Sequence, residues 1–338
     1  MSETANAPTT TRNLRVGLIG LGSMGRHHAR VIRATPGMEL VAVADPGGDR
    51  FGVAGELELL PDVAALIDVG LDAAMVAVPT VYHEEVALAL AEAGVPTMVE
   101  KPIAHSVQAG RRVADAFASR DLVGAVGYVE RCNPALRALR ERLDAGELGQ
   151  VYQVLTRRQG PFPARISDVG VVKDLATHDI DLTAWVAGAP YESVHARVAH
   201  RSGRENEDMV LATGRLTNGV IVSHTVNWLT PFKERVTVVT GEKGAFVADT
   251  LTGDLTFHAN GTVASTWDQV AAFRGVSEGD VIRYAIPKRE PLALEQERFR
   301  DAVRGVGHEH VTMAEGADTL AVVEAVLTSA SENRVVGL

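Results

Sequence analysis

Short apolar runs and helical repeats alternate through the first third of the chain. Leu14–Gly20, Leu40–Asp45, Ala73–Val78, Thr97–Glu100 and Val123–Tyr128 are largely unbroken by polar residues, as strands of a parallel sheet buried on both faces should be. Between them the spacing predicts helices near Met24–Ala34, Val63–Ile67, His83–Ala93 and Ser106–Ser119. A βαβ series of this kind implies an α/β fold: a doubly wound parallel sheet with helices on both faces.

After Tyr128 the pattern changes. The sequence predicts a helix over Pro134–Ala145, a strand over Val151–Arg158 and a helix over 174–187. Strand-like runs follow at Ser193–His200, Val210–Leu216, Val220–Trp228, Arg235–Thr240 and Gly244–Asp249. Breakers at Thr217-Asn218-Gly219 and Gly241-Glu242-Lys243-Gly244 suggest hairpins in a large antiparallel or mixed sheet. Helices near Leu292–Val303 and Ala314–Ser331 close the chain. The expected organisation is a polar, disordered tail at 1–12, a Rossmann domain at 13–128, and an α+β domain at 129–338 for substrate binding and oligomerisation.

One helical stretch stands out. At 100° per residue, Asp174, Thr177, His178 and Asp181 form a row at i, i+3, i+4, i+7. Leu175, Leu182 and Val186 flank the row on one side, and Ala176, Ile180 and Ala184 on the other. A solvated helix has a broad charged face. So narrow a stripe points to a cleft inside the protein, and a His one turn from a carboxylate there points to acid/base chemistry.

Composition narrows the classes. The formal net charge is −10, from 33 basic and 43 acidic residues, with no basic patch for a nucleic acid. No segment reaches ~18 uninterrupted apolar residues, so no membrane helix is expected. The start lacks the apolar run of a signal peptide, and cytoplasm is the default location. The one cysteine, Cys132, excludes an internal disulfide and Cys-rich zinc sites. It reads as a small buried side chain. His308-Glu309-His310 reads as a solvated turn and not a metal pair, so no metal is expected.

Gly20-Leu21-Gly22-Ser23-Met24-Gly25 follows the first strand and opens a helix. In that context the first Gly permits a tight turn, the second lets backbone approach a pyrophosphate, and the third allows close helix–strand packing. The helix N-terminus, through Ser23 and Met24, supplies N–H donors to phosphate. Asp45 ends the second strand, where a carboxylate binds adenosine ribose hydroxyls. It would repel a 2′-phosphate, so NAD is favoured over NADP; Arg50 leaves room for dual use. Pro79, Thr80 and His83 follow the fourth strand at the cofactor edge and are candidate neighbours. Glu100-Lys101-Pro102 ends the fifth strand at that same edge, and Pro102 constrains the turn with a cis bond as one option. His27 and His28 read as packing or surface residues.

These motifs, with Tyr128-Val-Glu-Arg131-Cys-Asn133-Pro134 and Asp174-x-x-x-His178, resemble the Gfo/Idh/MocA family of sugar and inositol oxidoreductases in order and separation. The resemblance implies an NAD-dependent dehydrogenase acting on CH–OH, a sugar-type substrate and a homodimer or homotetramer. It also implies Lys101, Asp174 and His178 as the catalytic set. Arg158-Gln-Gly-Pro161-Phe162-Pro163-Ala-Arg165 through Asp168 and Gly170, and Gly279–Lys288, are similar to the family's UDP-N-acetylglucosamine 3-dehydrogenases. Arg157, Arg158 and Arg165 could bind a substrate phosphate bidentately. The substrate candidates are thus Lys101, Tyr128, Arg131, Asn133, Arg158, Arg165, Asp174, Thr177 and His178.

The chemistry implied is oxidation of a secondary alcohol or its reverse. His178 takes the hydroxyl proton, since imidazole with an unperturbed pKa of ~6.5 suits neutral pH. Lys101 steadies developing charge on the oxygen, and Asp174 orients His178 or holds a neighbouring hydroxyl. Lys101 and His178 both stay open as the proton-transfer group. Alternatives are a myo-inositol or free-sugar dehydrogenase, a glycosidase or lyase using NAD transiently, and a non-catalytic NAD-binding regulator. Tyr284-x-x-x-Lys288 mimics another dehydrogenase pair, but Pro287 breaks the helix that pair requires.

Overall fold

A computed structural model describes residues 12–163, 169–261 and 278–338. The expected tail up to residue 11, and Arg165, lie outside the described residues. Two compact units are present: the first runs to Gly127 and takes in Leu292–Ala314, and the second comprises Tyr128–Pro291 and Glu315–Leu338.

The first unit begins β1 (Leu14–Ile19), α1 (Ser23–Ala34), β2 (Met38–Ala44), β3 (Leu59–Leu60), α2 (Val63–Asp68) and β4 (Ala73–Val76). It continues α3 (His83–Glu92), β5 (Thr97–Glu100), α4 (Val107–Ala118) and β6 (Gly124–Gly127). The six strands are all parallel, in the order β3-β2-β1-β4-β5-β6. Every residue of β4, β5 and β6 is buried, which is why these segments read as continuous apolar runs. The strand order reverses between β1 and β4, the place where open α/β sheets bind ligands at their carboxyl ends.

The sequence pattern does not reveal that a late helix belongs here. Phe299, from the helix Pro291–Val303, joins Val16, Leu18, Ile32, Met75 and Met98 in one core. The expected domain division places this helix with the C-terminal sheet. Its burial of Phe299 against β1, β4 and β5 explains the difference.

The second unit starts at α5 (Pro134–Asp144) and β7 (Val151–Pro161), then a π-helical turn (Val172–Ala176) and α6 (Thr177–Ala187). The strands β8 (Tyr191–Ala199), β9 (Met209–Leu216), β10 (Ile221–Asn227), β11 (Leu229–Gly241) and β12 (Gly244–Asp249) follow. Next are β13 (Asp254–Asn260) and β14 (Glu278–Arg283), which sequence reasoning did not predict, then α7 (Pro291–Val303, in the first unit), α8 (Met313–Glu332) and β15 (Val336–Gly337). The nine-stranded sheet runs β14-β13-β12-β11-β7-β10-β9-β8-β15. Only β7 and β10 pair in parallel, so the sheet is mixed. Both breaker sequences form the hairpins expected, β9–β10 and β11–β12. Among the described residues no helix is long and apolar enough to cross a membrane.

Candidate functional site

The glycine loop has three different steric states. Gly20 has φ 91°, and a Cβ there would fall 2.4 Å from the backbone of Ala77. A Cβ on Gly25 would fall 2.0 Å from the Gly20 carbonyl oxygen. These two glycines are required by the fold. A Cβ on Gly22 would meet nothing within 4 Å, so the protein's own packing does not require it. Space left open at that point fits backbone approach by a ligand.

Helix capping supports the same reading. Asp62, Ser106 and Asn133 cap α2, α4 and α5 with side-chain oxygens. Helix α1 begins at Gly22 with no side-chain cap and no acidic residue in its first turn. Its first N–H groups, at Ser23, Met24 and Gly25, thus face a position suited to an anion. Asp45 closes the other side: Oδ2 accepts from Leu21 N at 2.7 Å and Oδ1 from Gly47 N at 2.7 Å. A carboxylate has about four lone-pair sites, so it retains capacity for two ribose hydroxyls. The residues present therefore fit a dinucleotide with an unphosphorylated ribose.

Pro79 is exposed and Thr80 half-buried in the turn after β4. His83 is not exposed with them. It is buried, with Nδ1 2.8 Å from the Pro102 carbonyl oxygen and Nε2 2.9 Å from that of Val78. Burial pushes its pKa down, against the pull of those carbonyls, and a neutral ring donates to one of them. Its role is to tie the turn after β4 to the turn after β5, and direct cofactor contact is corrected accordingly.

Glu100 is likewise internal. Its Oε1 lies 2.7 Å from His28 Nε2, and its Oε2 accepts from the Lys101 N–H at 3.1 Å. The other ring nitrogen of His28 is 3.0 Å from Gln296 Nε2. Burial raises the Glu100 pKa, but His28 and Lys101 outweigh it and the net shift is downward. Glu100 thus braces the half-buried Lys101 from beneath instead of meeting a cofactor, and His28 is a buried partner. The Lys101–Pro102 bond is cis.

In the second unit the polar row divides. Asp174 lies in the π-helical turn and His178 in α6, so the row is not one continuous α-helical face. The start of this segment is held by Glu207: its backbone oxygen accepts from Val171 N at 2.9 Å and its Oε1 from Val172 N at 3.0 Å. A Cβ on Gly170 would overlap the Glu207 carboxylate at 2.0 Å, so a side chain there would displace that carboxylate from Val172 N. Sequence reasoning missed Glu207, which lies far along the chain.

Several expected substrate residues are instead the frame around Asp174 and His178. Thr177 is fully buried and its hydroxyl meets the Tyr128 hydroxyl at 3.0 Å. Burial pushes the Tyr128 pKa well up, so the phenol stays protonated; its ring stands edge-on to His178 with centroids 6.2 Å apart. Arg131 grips Asp181 through Nε and Nη2 at 2.9 and 2.7 Å, and Glu315 through Nη1 at 2.7 Å. Arg158 bonds Asp179 at 2.9 Å and Glu130 at 2.7 Å. Burial pushes both Asp179 and Asp181 up, opposed by their arginines. Asn133 accepts from Ala135 N and donates to the Thr250 carbonyl. Arg157 pairs with Glu234 at 2.9 Å. Buried charge requires such partners, so Arg131, Asn133 and Arg158 are corrected from substrate contacts to structural ones. The signal was present: Asp179 and Asp181 sit in an otherwise apolar helix and call for buried cations. Lys288 pairs with Asp254 in a segment that is not helical, which ends the Tyr284/Lys288 alternative.

Residues 14–128 match an oxidoreductase family with an NAD-binding Rossmann fold, and residues 136–247 match the GFO/IDH/MocA C-terminal domain. The chain is 31% identical over 294 residues to UDP-N-acetylglucosamine 3-dehydrogenase of Acidithiobacillus ferrooxidans, covering 86% of this chain and 89% of that one. It is 28% identical over 307 residues to scyllo-inositol 2-dehydrogenase (NAD(+)) of Bacillus subtilis, covering 86% of each. A solved structure of the Acidithiobacillus enzyme superposes with a TM-score of 0.83 at 27% identity, over 95% of this chain and 99% of that one. The chain therefore belongs to the Gfo/Idh/MocA family of NAD-dependent oxidoreductases.

Proposed function

We propose that this chain oxidises a secondary hydroxyl of a sugar or sugar nucleotide, with the C3 hydroxyl of UDP-N-acetylglucosamine as first candidate. What carries the reading is likeness to UDP-N-acetylglucosamine 3-dehydrogenase in both sequence and fold over most of the chain. Bound NAD supplies a hydride acceptor. The chain's own residues manage the oxygen and its proton.

In this reading His178 accepts the hydroxyl proton, with its ring backed by Tyr128. Lys101, braced by Glu100, donates a hydrogen bond to the reacting oxygen and stabilises charge that grows as the proton leaves. Asp174 orients His178 or accepts from a neighbouring sugar hydroxyl. Lys101→Ala and His178→Ala should each lose turnover, by about 10²–10⁴-fold for a general base, while NAD still binds. Near-normal turnover in both variants would contradict the assignment.

A free polyol is the second reading, favoured by the scyllo-inositol dehydrogenase match over the same share of the chain. A glycosidase, a lyase or a regulator would instead retain NAD and give no NADH with any alcohol. Exposed Tyr152, Leu211 and Ile221 on β7, β9 and β10 support a homodimer or homotetramer, which light scattering tests. Location in the cytoplasm completes the proposal.

A further inference from the structure

Arg131 in the second unit shows how a guanidinium takes a carboxylate side-on. The Nε–Nη2 edge of a guanidinium presents two parallel N–H groups, matched to two oxygens on one centre. Arg131 shows it occupied, with both Asp181 oxygens in place. Arg158 has its Nε on Asp179 and its Nη1 on Glu130.

Arg235 differs. On β11 it pairs directly with Arg158 of β7, and directly paired residues share a face of the sheet. Its neighbour Glu234 points the other way, to Arg157. The Arg235 guanidinium is half-buried and uses only Nη1, which donates to the carbonyls of Gln159 at 3.0 Å and Glu234 at 3.2 Å. The Nε–Nη2 edge makes none of the described hydrogen bonds.

The charges facing it come from three elements: Arg158 on β7, Asp179 on α6 and Asp174 on the π-helical turn, with Glu130 before α5. Burial and Arg158 lower the Arg235 pKa, and the three carboxylates oppose them without receiving a hydrogen bond from it. Two of those carboxylates are already bonded to Arg158. Neither Nε nor Nη2 is a buried atom without a partner, so water reaches this edge and two ligand oxygens can take its place. Asp174, one of the charges that act on Arg235, belongs to the proposed catalytic set.

We propose that Arg235 is the substrate's oxyanion receptor: its Nε–Nη2 edge binds two oxygens of a phosphate or carboxylate and so selects a charged sugar derivative over a neutral polyol. This takes the role first expected of Arg158 and rests on the sugar-nucleotide reading above. Lysine keeps the charge and loses the fork; glutamine loses both.

The test uses the full-length protein with NAD saturating, so that a diphosphate probe does not occupy the cofactor site. UDP and glucuronate binding are measured by calorimetry, and KM for UDP-N-acetylglucosamine by NADH formation, in wild type, Arg235→Lys and Arg235→Gln. UDP binding should weaken about 10- to 100-fold in Arg235→Gln, the scale of charge-assisted hydrogen bonds, and less in Arg235→Lys. NAD affinity and melting temperature should hold. Glucuronate binding lost in Arg235→Gln, with UDP not bound even by wild type, would assign the fork to a carboxylate. Equal UDP and glucuronate binding in all three proteins, or neither probe bound by wild type, overturns the proposal. Turnover of UDP-N-acetylglucosamine with an unchanged KM in Arg235→Gln sinks the receptor alone. No turnover of any UDP-sugar sinks the sugar-nucleotide reading.

Discussion

Replacing Gly22 and Gly25 in turn by alanine should break the protein in two different ways. At Gly25 the new methyl would sit 2.0 Å from the Gly20 carbonyl oxygen, a backbone atom that cannot swing aside. The loop must shift, and overpacking of that kind costs about 1–3 kcal/mol or more. At Gly22 the methyl meets no protein atom within 4 Å, and the weaker N-cap propensity of alanine costs about 1 kcal/mol or less. The same methyl occupies the approach to the pyrophosphate. Gly22→Ala should therefore weaken NAD binding at least about tenfold, or about 1.4 kcal/mol, with a near-normal melting temperature. Gly25→Ala should lower the melting temperature first. The assay pairs thermal unfolding without NAD with calorimetric titration of NAD. Wild-type NAD affinity in Gly22→Ala would refute the cofactor placement. Equal loss of stability in both variants would refute the steric reasoning.

Arg131→Met should destabilise by roughly 3–5 kcal/mol, because it leaves Asp181 buried without its cation; denaturant unfolding measures it, and a loss below about 1 kcal/mol would return Arg131 to the substrate. His224, sealed between Thr156 and Tyr191, has its pKa pushed down by burial to about 4. Protons then bind the unfolded chain first, so stability is full above ~6.5 and falls as pH drops from there to about 4. The drop is about 3 kcal/mol at ~1.4 kcal/mol per pH unit, and His224→Gln should flatten the slope of unfolding free energy against pH. Glu207→Ala strips a carboxylate acceptor from Val172 N, which should cost about 1 kcal/mol and lower kcat more than NAD affinity by loosening Asp174. Unaltered kcat would show that the cap does not set that geometry.

Most of the first sheet was legible because β4, β5 and β6 are buried throughout and β1 and β2 largely so, which writes them as apolar runs; the two-residue β3, with Leu59 exposed, writes none. Strand β14 was not, since Asp280, Val281, Ile282 and Arg283 lie on an exposed edge where alternation is weak. The glycine loop and Asp45 could be placed from spacing because local geometry decides them. The arginines could not. Which of Arg131, Arg158 and Arg235 is bound to internal carboxylates depends on strand register and on Glu130 and Glu315, set by contacts distant in sequence. The π-helical turn that separates Asp174 from α6 has no signature in a 3.6-residue repeat. The attachment of Pro291–Val303 to the first sheet was equally hidden, because its apolar stripe names a face and not a partner.

The most direct test of the account is NADH formation by the purified protein across UDP-N-acetylglucosamine, other UDP-sugars, free sugars and inositols. The account predicts a signal with UDP-N-acetylglucosamine that Lys101→Ala and His178→Ala abolish. NADH from free inositol with none from any UDP-sugar would contradict the sugar-nucleotide assignment, and no NADH from any alcohol, with NAD retained, would contradict a net dehydrogenase.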